Sequence, residues 1–326
     1  MKVLVTGSTS MIGRAVVDRL IARGDEVTTL QRSTATPPRT RAVRGSVDDP
    51  EVVAAACQDQ ERVIHLAAKV GVTGAWAEFE RINVEGTRLL LDTARRAGVS
   101  GFVHVSSPSV AHTGESLVAA PAGPADPAST RGAYATTKAA AELLALRASN
   151  HGFPVTAIRP HLVWGPGDTQ LIGRIVQRAQ ARRLALVGSG SALIDTTFVD
   201  NAADALVAAS DRIDRLGGTA LVVSNGEPRT VHELITRIVA AAGVAWRPRH
   251  VPTRLASWGG SIAERVWDRT GRSDDPPMTS FLAEQLSTAH WFDQTTTRSA
   301  LGWSPTVSLD DGFDRLAAWF RDQPER

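Results

Sequence analysis

An apolar run, Lys2-Val3-Leu4-Val5-Thr6, passes directly into the turn Gly7-Ser8-Thr9-Ser10-Met11-Ile12-Gly13, and that turn opens a stretch with helical spacing. Over residues 11–23, Ile12, Val16, Leu20 and Ile21 share one face. A strand that ends in a glycine turn and starts a helix is the first half of a βαβ unit. It commits the chain to a parallel sheet covered on both faces. Gly7 and Gly13 permit a tight turn and a close approach of helix to strand, while N–H groups at the helix start face outward. The turn suits the pyrophosphate of a dinucleotide, with an ordinary βα turn as the plain alternative. Ser10 stands at the middle position, where a third glycine would let backbone and ligand meet most closely.

The rest of the first half repeats this alternation. Residues 26–30, Arg41–Arg44, 62–66 and 101–106 read as strands, and Pro50–Cys57, 78–97 and 134–150 as helices. Right-handed crossovers make this a doubly wound α/β sheet of Rossmann type, with its ligand at the carboxyl ends of the strands. Residues 117–131, rich in Ala, Pro, Gly and Ser, read as a loop. The expected division is a dinucleotide-binding core over 1–168 and a smaller, mostly helical substrate lobe over 169–326, with core elements returning near 195–225. In that second half, 171–183, 202–210 and 231–242 have helical spacing and 219–224 reads as a strand.

Composition excludes several classes. With 43% hydrophobic and 21% charged residues in 326, the chain is globular rather than disordered. No apolar run approaches the ~20 residues of a membrane span, and the amino terminus turns polar too soon for a secretory signal. A single cysteine, Cys57, forms no internal disulfide, so the expected compartment is the cytoplasm. A net charge of +2 makes no electrostatic case for nucleic acid. No metal is expected.

Lysine occurs only at Lys2, Lys69 and Lys138, and tyrosine only at Tyr134. Tyr134 and Lys138 therefore meet at i and i+4 of a helix, a spacing that chance gives about once in a hundred such chains. A neighbouring ammonium stabilises phenolate and draws the tyrosine pKa down, which suits a general acid or base, and Lys138 also reaches a cofactor ribose. The plain alternative is a surface pair. Ser106-Ser107-Pro108-Ser109 follows the strand at 101–106, where a doubly wound sheet binds ligands; a hydroxyl there either bonds a substrate carbonyl or shapes a turn. At the end of the second strand, Leu30-Gln31-Arg32-Ser33 offers no carboxylate for a ribose 2′-hydroxyl. Arg32 and Ser33 instead suit a 2′-phosphate, so NADP(H) is preferred and NAD(H) remains open. A solvated surface arginine is the alternative.

Together these residues resemble the extended short-chain dehydrogenase/reductase superfamily, also called the NAD-dependent epimerase/dehydratase family, essentially end to end. Carrying the resemblance are the turn at 7–13, Val63-Ile64-His65-Leu66-Ala67-Ala68, Asn83-Val84-Glu85-Gly86-Thr87, Ser106-Ser107 and Tyr134 with Lys138. Further on are Arg159-Pro160, Trp164-Gly165-Pro166-Gly167-Asp168 and Phe198-Val199-Asp200-Asn201. It implies a catalytic Ser107, Tyr134 and Lys138, and cofactor contacts from Gly7, Ser10, Met11, Ile12, Gly13, Arg32, Ser33, Val47, Leu66, Ala67, Ala68 and Lys138. Ser46 departs from the Asp that the family usually carries near adenine.

Val105-Ser106-Ser107-Pro108-Ser109-Val110-Ala111-His112 lacks the tyrosine common in sugar-nucleotide members, and Trp164 replaces another. The tail, Phe281-Leu282-Ala283-Glu284-Gln285-Leu286, His290-Trp291-Phe292-Asp293 and Leu301-Gly302-Trp303-Ser304-Pro305, resembles the 3β-hydroxysteroid dehydrogenase-like branch. Within it, 109–112, 164–168, Ser224-Asn225-Gly226-Glu227-Pro228 and the tail resemble the 2-alkyl-3-oxoalkanoate reductase family of bacterial long-chain olefin synthesis. That resemblance implies NADPH reduction of a β-keto acid with two alkyl chains to the β-hydroxy acid. Asn83, Ser109, His161 and Trp164 are the substrate candidates. Leu255, Trp258, Ile262, Val266 and Trp267 form an apolar stripe that lines an acyl pocket, touches a membrane surface or packs on the main domain. A homodimer and an assembly with other olefin-pathway enzymes are expected. A sterol or sugar-nucleotide enzyme on the same fold, and a non-catalytic dinucleotide sensor, remain as other readings.

Overall fold

The computed structural model describes residues 1–71, 74–112, 114–270, 284 and 286–323, without the side chains of 257, 261 and 264–270. Ala220–Val223, Val155–Pro160, Phe102–Val105, Arg62–His65, Lys2–Thr6, Glu26–Gln31 and Arg41–Arg44 lie side by side in that order, and every neighbouring pair is parallel. The chain starts in the middle, runs outward to Arg41–Arg44, and returns to build the other side from Arg62–His65. The order reverses between Lys2–Thr6 and Arg62–His65, which is where a doubly wound sheet opens a crevice.

Both faces are dry, which explains the continuous apolar strands. Val3 and Val5 pack with Val16, Val17 and Leu20 of the helix Met11–Ala22 and with Leu206 of Val199–Asp211. Leu4, pointing the other way, joins Val53, Leu90, Leu91 and Phe102 beneath the helices Pro50–Cys57 and Gly86–Arg96. A third core, around Trp164, Ile172, Phe198, Leu234 and Phe313, lies in the second half of the chain.

Two expectations need correction. Residues 78–97 are not one helix: Trp76–Phe79 is α, Glu80–Glu85 is a π turn, and Gly86–Arg96 is α again. Residues 117–131 are not all loop. Leu117–Ala120 is the edge of a second sheet, ordered Arg229–Thr230, Leu193–Ile194, His290–Phe292, Leu117–Ala120, and its partner lies far along the chain. Of the readings left open for the stripe on the helix Thr253–Thr270, packing on the main domain does not hold for its first half: Leu255, Trp258 and Ile262 are 59%, 68% and 39% exposed. The side chains of Val266 and Trp267, and residues 281–283 and 285, lie outside the described residues. Among the described residues no helix is long and apolar enough to cross a membrane.

Candidate active site

Gly7 and Leu66 are the first residues beyond the two central strands. Gly7 has φ +70°, and its N–H donates to the Leu30 carbonyl at 3.0 Å. A Cβ on Gly7 would come within 2.9 Å of Ala67 N, and one on Gly13 within 2.3 Å of the Gly7 carbonyl. Only glycine allows these approaches. Ser10 caps the helix: its hydroxyl accepts from Gly13 N at 3.1 Å and donates to the Gly7 carbonyl at 2.9 Å. The departure from glycine thus braces the turn instead of widening it. Met11 and Ile12 take the first two helical positions, whose N–H groups have no acceptor inside the helix. A cradle too narrow for a Cβ, with such donors at its rim, fits a dinucleotide pyrophosphate.

The crevice floor is polar and saturated. Ala67 N donates to Thr6 Oγ1 at 3.1 Å, and His65 Nδ1 lies 2.7 Å from the same oxygen. His65 Nε2 reaches Thr87 Oγ1 at 3.0 Å on the helix Gly86–Arg96. Burial first, and then the Lys138 charge, push the His65 imidazole down to about 3, so it bridges as a neutral ring. The sequence signal for it was a histidine inside an apolar strand. Leu66, Ala67 and Ala68 are half-buried beside the turn. Val47 is different: its side chain is buried against Gly86, where a Cβ would meet Val47 Cγ2 at 2.9 Å. Its side chain belongs to the core beneath the sheet.

Arg32 and Ser33 are exposed past the second strand. Gln31, buried, bonds Ser8 Oγ, and its amide donates to the Ala35 carbonyl at 2.6 Å, which fixes the loop that carries them. Ser33 Oγ accepts from Ala35 N at 3.1 Å. The Arg32 guanidinium has no partner among the described residues.

Ser107 and Tyr134 come together. Ser107 caps the short 3-10 turn Pro108–Ala111, its Oγ accepts from Ser109 Oγ at 2.9 Å, and it stands beside the Tyr134 hydroxyl, whose pKa it lowers. Burial raises the Tyr134 pKa, and Ser107 works against that rise. The expectation that Lys138 draws it below its ordinary value is therefore not met: burial outweighs every lowering influence. Lys138 is buried one turn on in the helix Ala133–Arg147, with Nζ donating to the Val105 carbonyl at 2.7 Å. Burial brings its ammonium down to about 8, with Glu142 pulling the other way.

Ser109 stays at the site through Ser107, whereas the side chains of the other three substrate candidates are engaged with other partners. Asn83, within the π turn, accepts from Lys69 N at 2.7 Å and donates to the Lys69 carbonyl at 3.1 Å and to Thr137 Oγ1 at 3.0 Å. Its amide is spent pinning the Tyr134 helix. His161 is buried, bonds the Asp195 carbonyl through Nδ1, and meets His290 and Phe292 edge-on. Trp164 is 1% exposed, stacked on Phe313 at 4.6 Å, with its N–H donating to Thr196 Oγ1 at 2.9 Å. Arg159, which carries part of the resemblance, has a role that the sequence did not indicate. Buried, it pairs with Glu142, two turns past Tyr134 on the same helix, and its Nη1 holds the Ala122 and Gly123 carbonyls.

Residues 3–223 match the model of the NAD dependent epimerase/dehydratase family. The chain belongs to this family. It is accordingly an NAD(P)-dependent oxidoreductase. A protein of Stenotrophomonas maltophilia called 2-alkyl-3-oxoalkanoate reductase is 36% identical over 98% of this chain and 99% of its own. One of the same name from Shewanella oneidensis is 33% identical over 96% and 85%. The solved structure of MoeE5 in complex with UDP-glucose and NAD superposes with a TM-score of 0.75 at 26% identity, covering 98% and 99% of the two chains.

Proposed function

We propose that this family member reduces the ketone of a long-chain 2-alkyl-3-oxoalkanoic acid to the 3-hydroxy acid with NADPH. The placement of Ser107 beside the Tyr134 hydroxyl, at the carboxyl end of the sheet, carries the reading. Two hydroxyls so placed hold a carbonyl oxygen between them, and Tyr134 delivers the proton that turns it into the product alcohol. Its raised pKa suits that task, because the resting phenol keeps its proton through neutral pH. Lys138, still charged at that pH, opposes the negative charge left on Tyr134. When bound, the reduced nicotinamide supplies the hydride to the ketone carbon.

End-to-end identity with proteins named for this activity supports the substrate class. The exposed Leu255, Trp258 and Ile262 support an apolar one. The free Arg32 beside a carboxylate-less strand end supports NADPH. The test is a panel of a 2-alkyl-3-oxoalkanoate, a 3-oxosterol and a UDP-sugar with NADPH and with NADH, followed by nicotinamide absorbance. Turnover of the keto acid alone, faster with NADPH, is expected. Arg32→Ala should weaken NADPH about tenfold and leave NADH unchanged. Equal losses would remove the case for NADPH, and turnover of the sterol or sugar alone would overturn the substrate.

A further inference from the structure

Beneath Lys138 the central sheet carries an imidazole that packing does not account for. His104 lies on Phe102–Val105, fully buried between Arg62–His65 and Val155–Pro160. Its strand neighbours Phe102, Val103 and Val105 are the apolar residues such a place favours. His104 Nδ1 is buried without a hydrogen-bond partner, a cost that an apolar side chain would not carry. Its Nε2 lies 3.5 Å from Lys138 Nζ. An ammonium only donates, so Nε2 is the acceptor and the ring proton sits on the unpartnered Nδ1. Val105 and His104 therefore claim two of the three N–H groups of Lys138.

We propose that His104 is a positioning residue, whose Nε2 lone pair, with the Val105 carbonyl, steers Lys138 so that its remaining N–H serves Tyr134 and the cofactor ribose. This rests on the role given to Lys138 above. The contact also favours the charged lysine. Burial first, then the Lys138 charge and His65, hold His104 well below the ordinary imidazole range, so it stays a neutral acceptor while Lys138 titrates. The other groups facing the pair are His65, neutral as well, and Glu142, itself tied to Arg159.

The experiment follows kcat against pH for keto-acid reduction with NADPH, with thermal melts, in the full-length protein. In His104→Leu the alkaline limb, along which Lys138 loses its proton, should move down by about half to one pH unit, with kcat at neutral pH falling roughly 5–30-fold. Tm should hold, since the orphaned Nδ1 is gone. His104→Gln, whose amide oxygen still accepts, should recover most of the activity. His104→Met reads the same quantity should the leucine variant not fold. A limb and kcat equal to wild type in the apolar variants, whatever their Tm, would overturn the proposal. Lys138→Met separates the two claims. Wild-type activity there sinks the reading of Lys138, whereas loss there beside an unchanged His104→Leu sinks only the role of His104.

Discussion

Burial and a serine pull the Tyr134 hydroxyl in opposite directions, and burial prevails. In the proposed reaction Tyr134 is the proton donor, and such a donor contributes about 10²–10⁴-fold to a rate. On that reading Tyr134→Phe keeps the ring and removes only the donor, so kcat should fall at least ~10²-fold while Kd for the nicotinamide cofactor changes little. Steady-state kinetics and a cofactor titration on one preparation check both halves, and activity within a few-fold of wild type would remove Tyr134 from the chemistry. The Tyr–Lys spacing was legible because i and i+4 contacts are local. Trp164 was not: its partners Phe198 and Phe313 lie some 35 and 150 residues on, and a tryptophan beside Gly-Pro-Gly reads equally well as a pocket wall. The direction of the Lys138 side chain was hidden for the same reason, since Val105 belongs to another element.

Among the elements, the helix Ala133–Arg147 is pinned twice. Asn83 reaches it from the π turn through Thr137, and Arg159 grips Glu142 further along. The π turn was illegible in sequence because one extra residue per turn hardly disturbs an apolar period. Leu117–Ala120 was illegible because an Ala-rich tetrapeptide has little strand preference until His290–Phe292 lies beside it. The central strands, apolar on both faces, were plain. Arg159→Met should cost about 3–5 kcal/mol, because Glu142 is left buried and unpaired. Arg159→Met with Glu142→Leu should recover most of that loss in urea unfolding, yet stay catalytically impaired. The Ala122 and Gly123 carbonyls have lost their clamp, and Lys138 has lost a favourable charge. Full recovery of kcat with stability would mean that the clamp serves the fold alone.

Taken as a whole, the protein stores acid sensitivity in its interior. Burial, before any other cause, holds His65, His104, His112, His161 and His290 below the ordinary imidazole range, down to about 4 for His161 and about 3 for His65 and His290. Unfolding returns each ring to about 6.5. Below that pH the unfolded chain binds protons that the native chain refuses, so their stabilisation is complete above neutrality and drains away as pH falls towards the native values. Each ring costs about 1.4 kcal/mol per pH unit over that interval. Urea midpoints should be level from pH 7 to 8 and drop steeply between pH 6 and 4. A level profile down to pH 4 would mean that these rings already carry protons in the native state.

The order of the strands also sets a clock. Val155–Pro160 is buried along its whole length, and its outer neighbour Ala220–Val223 is made about 60 residues later. At ~5–20 residues per second, a ribosome leaves that apolar edge open for roughly 3–12 s. Until Ala220–Val223 arrives, the nascent sheet offers a template to any other strand in reach. A chain stopped after Asp168 would keep that edge for good, so the half that holds the turn, Ser107, Tyr134 and Lys138 is the half least able to live alone.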